Sequence, residues 1–425
     1  MSNKAILLFS LVILVTAFNV SAEDLSGNYL FRPYLSNPKP DGITIAWVSD
    51  DVERKARVIY GKEDSCKRDI AEVNEVIQSD HYPKRATGKK WKEDPLYKAK
   101  TFVHKVRIRG LEQGQKYSYG VEGAGLPPHQ GHFNTIPTSE NAEVLFTFGG
   151  DLDSAMPDVP DVEFVEKITG KKMDFFLDLG DWAVVGGRFG MDWQSDIPVV
   201  VVRGNHDSHN TTRYTSSSKD STTVGHLQHY YDFDDNNLDF TLDWGPVCIV
   251  ISGSHMGVPL TTKKADWVAS KFAASTKPLK LYATHGVFFS DDMKHGKEGP
   301  ARRQQMWPIL TEHDVPLAYS GHAHQCQRTH RVNTKGEPDP KGTYNIVLGG
   351  TEQKMTKTPS PWSAFRYYNM DPKIEKIIGF THVKNGVAKT ALYSRKKEEY
   401  VLLDSFEVVY DGKIPPRLTT KTDIP

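Results

Sequence analysis

The sequence predicts two domains, an all-β sandwich at the amino-terminal end and an α/β domain behind it. Three observations predict this. At 425 residues the chain is too long for one small core. Across residues 29–137, short β-rich runs follow one another without helical periodicity, which is the sandwich pattern. Beyond Pro137 the order becomes strand, loop, helix, strand. There Val199-Val-Val-Val202 reads as a strand buried on both faces, as in a parallel sheet covered by helices.

Residues 1–22 differ in kind from the rest. Lys4 precedes an apolar run over 5–18, and Val20-Ser-Ala22 offers small residues suited to signal peptidase. The run is shorter than the roughly 20 residues that span a bilayer. A cleaved secretory signal is therefore expected, with an uncleaved anchor as the alternative, and the mature protein is expected to be secreted or periplasmic. No later segment is apolar enough to cross a membrane. The 53 basic and 53 acidic residues cancel, so no general pull toward nucleic acid or anionic lipid is expected. Three cysteines, Cys66, Cys248 and Cys326, are too few and odd in number for a disulfide framework.

The first domain is bounded at 23–138. Its strands are read at 43–47, after the Pro40-Asp41-Gly42 turn, and at 56–60, 102–108 and 117–121, closing near Phe133. The basic segment 84–100 is read as a solvated loop rather than a binding patch. No chemistry is apparent in this domain.

The second domain is bounded at 139–412, with 413–425 as a tail. Its buried strands end in polar residues. The strand at 144–148 runs into Gly149-Gly-Asp151-Leu-Asp153, and the strand at 175–179 into Gly180-Asp181. The valine strand delivers Gly204-Asn205-His206-Asp207, the strand at 279–284 presents His285, and the strand at 317–320 leads into Gly321-His322-Ala-His324. Between them lie helices at 161–169, 262–274 and 301–312, a hairpin of 230–234 with 238–242, and strands at 247–251 and 344–348. A hairpin turning at Asn385-Gly386 and an edge strand to Val409 close the domain.

Ligands of open α/β sheets bind at the carboxyl ends of strands. A single Gly-Asp pair there is an ordinary turn. The whole set, Asp151, Asp153, Asp181, Asn205, His206, His285, His322 and His324, combines carboxylates, an amide and imidazoles. That donor set suits Zn, Fe or Mn and not a thiolate site.

This series resembles the calcineurin-like metallophosphoesterase superfamily. The preceding sandwich and His322-Ala-His-Gln-Cys-Gln-Arg328 are similar to those of purple acid phosphatases in particular. The stretch from Gly110 to Tyr117 is similar to a turn of fibronectin type III domains, with Gln113 in place of the usual proline, so the sandwich is expected to be fibronectin type III-like. The resemblance implies two metal ions bridged by Asp181. Asp151 and His324 would hold one, and Asn205, His285 and His322 the other. His206 would stand beside the phosphate. His295 either faces the substrate or is a surface-loop residue.

The tyrosine that gives these enzymes their colour has its position at Val184, so that colour is not expected. Asp153 is expected to replace it as a ligand, the alternative being a turn or helix-cap aspartate. The implied function is a secreted phosphatase that hydrolyses phosphate monoesters of small molecules by attack of metal-bound hydroxide. The alternatives are a phosphodiesterase on nucleotides or phospholipid head groups, or a binding protein with an inactive metal domain.

Overall fold

A computed structural model describes residues 29–53, 55–79, 101–151, 161–181, 192–205, 207, 226–234, 237–253, 261–349, 355–367, 375–397, 399–410 and 417–418. The expectations for the secretory segment, the basic segment 84–100, Asp153, Val184, His206 and the end of the tail lie outside these residues. Among the described residues no helix is long and apolar enough to cross a membrane.

The amino-terminal part is two facing sheets. One carries Asp69–Ala71, Arg57–Lys62, Lys116–Glu122 and His129–Asn134. The other carries Glu75–Ser79, Thr101–Ile108, Gly42–Ser49 and Phe31–Lys39. Alternate residues of both, among them Ile43, Ile45, Trp47, Val58, Val106, Tyr119 and Phe133, fill the space between them. The Phe31–Lys39 strand was not legible, because Pro33 and Pro38 remove ladder donors and argue against a strand. It pairs with Gly42–Ser49 on one side. On the other it meets the valine strand, with Ser36 opposite Val199 in parallel register. The sandwich sheet therefore continues into the second domain as one sheet of eleven strands.

The second domain is a sandwich of two mixed sheets. The parallel strands Val144–Gly149, Phe175–Asp178 and Val199–Val201 belong to the long sheet, flanked by the antiparallel strands Glu375–Lys384, Val387–Lys396 and Glu399–Val409. The second sheet holds Asp239–Trp244, Val247–Ser252, Leu279–Thr284, Leu317–Ser320, Tyr344–Leu348, Cys326–Thr329 and Ser363–Tyr367. Phe146, Phe148, Leu177, Val200, Ile249, Leu281, Tyr319 and Ile346 form the shared core. Helices Thr262–Ala274 and Gly299–Glu312 cover the outer face of the second sheet, and Val162–Thr169 that of the first.

One hairpin differs from expectation. Residues 226–230 form a short helix, and the strand Asp239–Trp244 pairs with Val247–Ser252 instead. Gly245, at φ 54°, makes a two-residue turn possible there. The segment after the helix is taken up by the amino-terminal domain. Tyr34 Oη donates to Tyr230 O at 2.6 Å, Lys105 Nζ to Tyr231 O at 2.9 Å, and Arg107 Nε to Asp232 Oδ1 at 3.0 Å. These contacts compete with a local hairpin and win.

Candidate metal centre

The parallel strands of both sheets deliver their carboxyl ends to one rim. Asp151, Asp181 and Asn205 follow the Val144–Gly149, Phe175–Asp178 and Val199–Val201 strands of one sheet. His285 follows Leu279–Thr284, and His322 and His324 follow Leu317–Ser320, in the other. Ligand atoms of Asp151, Asp181, His285 and His322, all buried, lie within 4.8 Å of one another. Asn205 Oδ1 is 2.9 Å and Asp181 Oδ2 3.2 Å from His285 Nε2. His324 Nε2 is 3.5 Å from Asp151 Oδ1. Six of the nine residues singled out in the sequence thus meet at one place. Asp153 and His206 lie outside the described residues.

His295, the ninth, lies against this group. It is buried, its ring centroid is 4.3 Å from that of His322 and 6.1 Å from that of His324, and its Nδ1 is 2.7 Å from Asp292 Oδ2.

The backbone is bent to make this possible. Asp151, Asp181 and His322 hold φ of 52°, 61° and 64°. Non-glycine residues visit that left-handed region rarely, and strain of this kind collects at functional sites. Two glycines leave room for the carboxylates. A Cβ at Gly204 would lie 2.0 Å from Asp181 Oδ1, and one at Gly349 would lie 2.6 Å from Asp151 Oδ2. His322 N donates to Asp151 Oδ2 at 2.5 Å, tying the two sheets together at the site.

Electrostatics fit a cation. His285 Nδ1 donates to Leu179 O at 2.8 Å, which turns Nε2 toward the cluster. Burial pushes this imidazole's pKa down, but the charges of Asp181 and Asp151 outweigh it and raise the value to about 10. The protein alone thus balances its carboxylates with a proton, at the place where a metal ion would supply positive charge. Carboxylate oxygens, an amide oxygen and imidazole nitrogens are the ligands of Zn, Fe and Mn, so the residues present fit such ions.

Several contributors were not assigned from the sequence. Asp207 lies beneath the cluster, its Oδ2 accepting from Asp181 N at 3.0 Å and Gly204 N at 2.7 Å. Burial, then the charge of Asp181, pushes it up to about 7. Asp178 is fully buried, accepts from Gly180 N at 2.9 Å, and is held well above the usual carboxylate range by burial and by Asp207. An aspartate closing the apolar run Phe175-Phe-Leu-Asp178 was the available signal. Glu298 Oε2 lies 3.2 Å from His322 Nε2. Burial raises the Glu298 carboxyl, yet its bond to His322 and the nearby positive charges leave it below its ordinary value.

Residues 31–136 match the family model described as the purple acid phosphatase N-terminal domain, and residues 145–326 match that of calcineurin-like phosphoesterases. Purple acid phosphatase 22 of Arabidopsis thaliana is 26% identical over 353 residues, covering 78% of this chain and 76% of that protein. A purple acid phosphatase of Glycine max is 23% identical over 383 residues, covering 80% and 77%. Among solved structures, purple acid phosphatase PPD1 of yellow lupin superposes with a TM-score of 0.68 at 16% identity, covering 89% of this chain and 74% of that one. That last likeness is one of fold.

Proposed function

This chain belongs to the calcineurin-like metallophosphoesterases, on their purple acid phosphatase side, and from that premise we propose that it is a secreted dinuclear-metal phosphatase acting on phosphate monoesters. The observation that carries the reading is the convergence of Asp151, Asp181, Asn205, His285, His322 and His324 from five strand ends of two sheets. Asp181, whose ligand atom lies within 4.8 Å of those of Asp151, His285 and His322, would be the carboxylate shared by the two ions. Asp151 and His324 would hold one ion, and Asn205, His285 and His322 the other. Asp153 would add a carboxylate in place of the tyrosine missing at Val184.

When bound, such ions neutralise phosphoryl oxygens and lower the pKa of coordinated water toward neutrality. The chain's own residues do the rest. Neutral Asn205 adds a ligand without adding charge, which keeps the loaded site positive and attractive to a phosphate dianion. His206 and His295 are assigned to the leaving-group oxygen as proton donors. The Asp292 carboxylate, 2.7 Å from His295 Nδ1, fixes the ring so that Nε2 is the nitrogen left for substrate. The two facing sheets of the amino-terminal part, one of four strands and the other the end of the eleven-stranded sheet, support a fibronectin type III-like domain at 23–138, with the catalytic domain at 139–412. The secretory assignment is supported by the composition of residues 1–22.

The test is metal analysis of protein purified without chelator, alongside turnover of p-nitrophenyl phosphate and bis-p-nitrophenyl phosphate. Two ions per chain with faster monoester hydrolysis is the expected result. Faster diester hydrolysis would replace the monoester reading with a phosphodiesterase. Folded protein that binds no metal and gains no turnover from added metal would overturn the enzyme.

A further inference from the structure

Arg302, in the Gly299–Glu312 helix, is 8% exposed. Its guanidinium reaches the outer side of two histidine-bearing strand ends. Nη2 lies 3.8 Å from Glu298 Oε2, the same oxygen that lies 3.2 Å from His322 Nε2. Nη1 has no hydrogen-bond partner among the described residues. It occupies the space left by Gly286, the residue directly after His285, where a Cβ would come within 1.0 Å of it. One buried cation thus rests against the neighbour of one proposed ligand and against the carboxylate that touches another.

A buried guanidinium with an unused donor is costly, and an aliphatic side chain of similar length would fill the same volume without that cost. Packing alone therefore does not account for an arginine here. Glu298 does. Its side chain is 30% exposed, so water competes for its carboxylate, and Arg302, one helical turn on, draws it inward toward His322. A carboxylate behind a metal-binding imidazole sets its ring orientation and which nitrogen carries the proton.

We propose that Arg302 is a positioning residue of the metal centre: it holds Glu298 against His322 Nε2 and so leaves His322 Nδ1 for the cation. The inference rests on the metal-centre reading above. The test uses the metal-loaded full chain, titrated with a chromogenic chelator, in wild type, Arg302→Met, Arg302→Lys, Glu298→Ala and the Glu298→Ala/Arg302→Met double variant. Metal-free thermal midpoints are recorded in parallel.

Loss of such a carboxylate partner weakens metal binding about 10–100-fold. Arg302→Met is expected to weaken one of the two ions at the lower end of that range and to leave the other unchanged. Its metal-free midpoint should match or exceed that of wild type, because a costly buried charge is gone. Arg302→Lys, which keeps a cation beside Glu298, should recover most of the affinity. In the Glu298→Ala background, Arg302→Met should change nothing further. The proposal is overturned if Arg302→Met retains both ions as wild type does, if its effect persists at full size without Glu298, or if it lowers the metal-free midpoint. Wild type that binds no metal would instead remove the metal-centre reading itself.

Discussion

Gly204→Ala isolates the geometry of the centre with a single methyl group. Gly204 precedes Asn205 and does not have a left-handed φ, so alanine adds no backbone strain. Its Cβ would lie 2.0 Å from Asp181 Oδ1 and 2.4 Å from Asp181 N. Contacts shorter than 3.0 Å are essentially never adopted, so the carboxylate must retreat by the difference, 3.0 − 2.0 = 1.0 Å. Turning the side chain does not relieve the second contact, because it is to backbone.

Metal ligands tolerate about ±0.2 Å, and a misplacement of about 1 Å in a catalytic site costs on the order of 100-fold. The expected variant folds, loses about 1–3 kcal/mol to overpacking, retains fewer ions per chain and turns over p-nitrophenyl phosphate about 100-fold more slowly. Metal analysis after gel filtration, urea unfolding and initial rates measure the three effects. Gly120→Ala is the control, since nothing lies closer than 3.7 Å to its Cβ, and it should leave all three unchanged. A Gly204→Ala protein with wild-type metal content and rate would refute the placement of Asp181 at the heart of the site.

Other consequences follow from the buried groups around it. Asp207→Ala removes the acceptor of two buried N–H groups, each worth about 1–3 kcal/mol when orphaned, whereas Asp207→Asn keeps an oxygen for both. Urea unfolding should show a loss of at least about 2 kcal/mol for alanine and less than half of that for asparagine. In metal-free protein His285 carries a proton up to about pH 10, and a cation must displace it. Metal affinity should therefore rise with pH, about tenfold per unit for that one proton, and level off above pH 10. Chelator competition at several pH values below that point reads the slope, and a flat profile would contradict the assignment. Arg107→Met removes the guanidinium that donates through Nε and Nη2 to buried Asp232, across the junction of the two domains. A loss of about 1–3 kcal/mol is expected, because the carboxylate stays buried with fewer donors.

The local pattern of residues carried much of this. The largely apolar strands Val144–Gly149 and Val199–Val201 are buried on both faces, Leu279–Thr284 is buried but for half-buried Lys280, and each leads into the aspartate, asparagine or histidine read there as a possible ligand. Asn385-Gly386, with φ of 52° and 76°, makes the turn its sequence specifies. Period, turn chemistry and the polarity change at a strand end are properties of neighbours in the chain, and so they can be read from it.

Other features depend on which segments meet. The partners of residues 230–234 lie in strands more than a hundred residues earlier, and their hydrogen bonds displace the hairpin that local alternation suggests. The strand Phe31–Lys39 exists despite its prolines because strands on both sides supply the pairing. Glu298 and Arg302 look like ordinary charged residues in the sequence. Burial beside His285 and His322 gives them their roles, because a charge taken out of water must find its counter-charge, and only the folded chain determines which one is within reach.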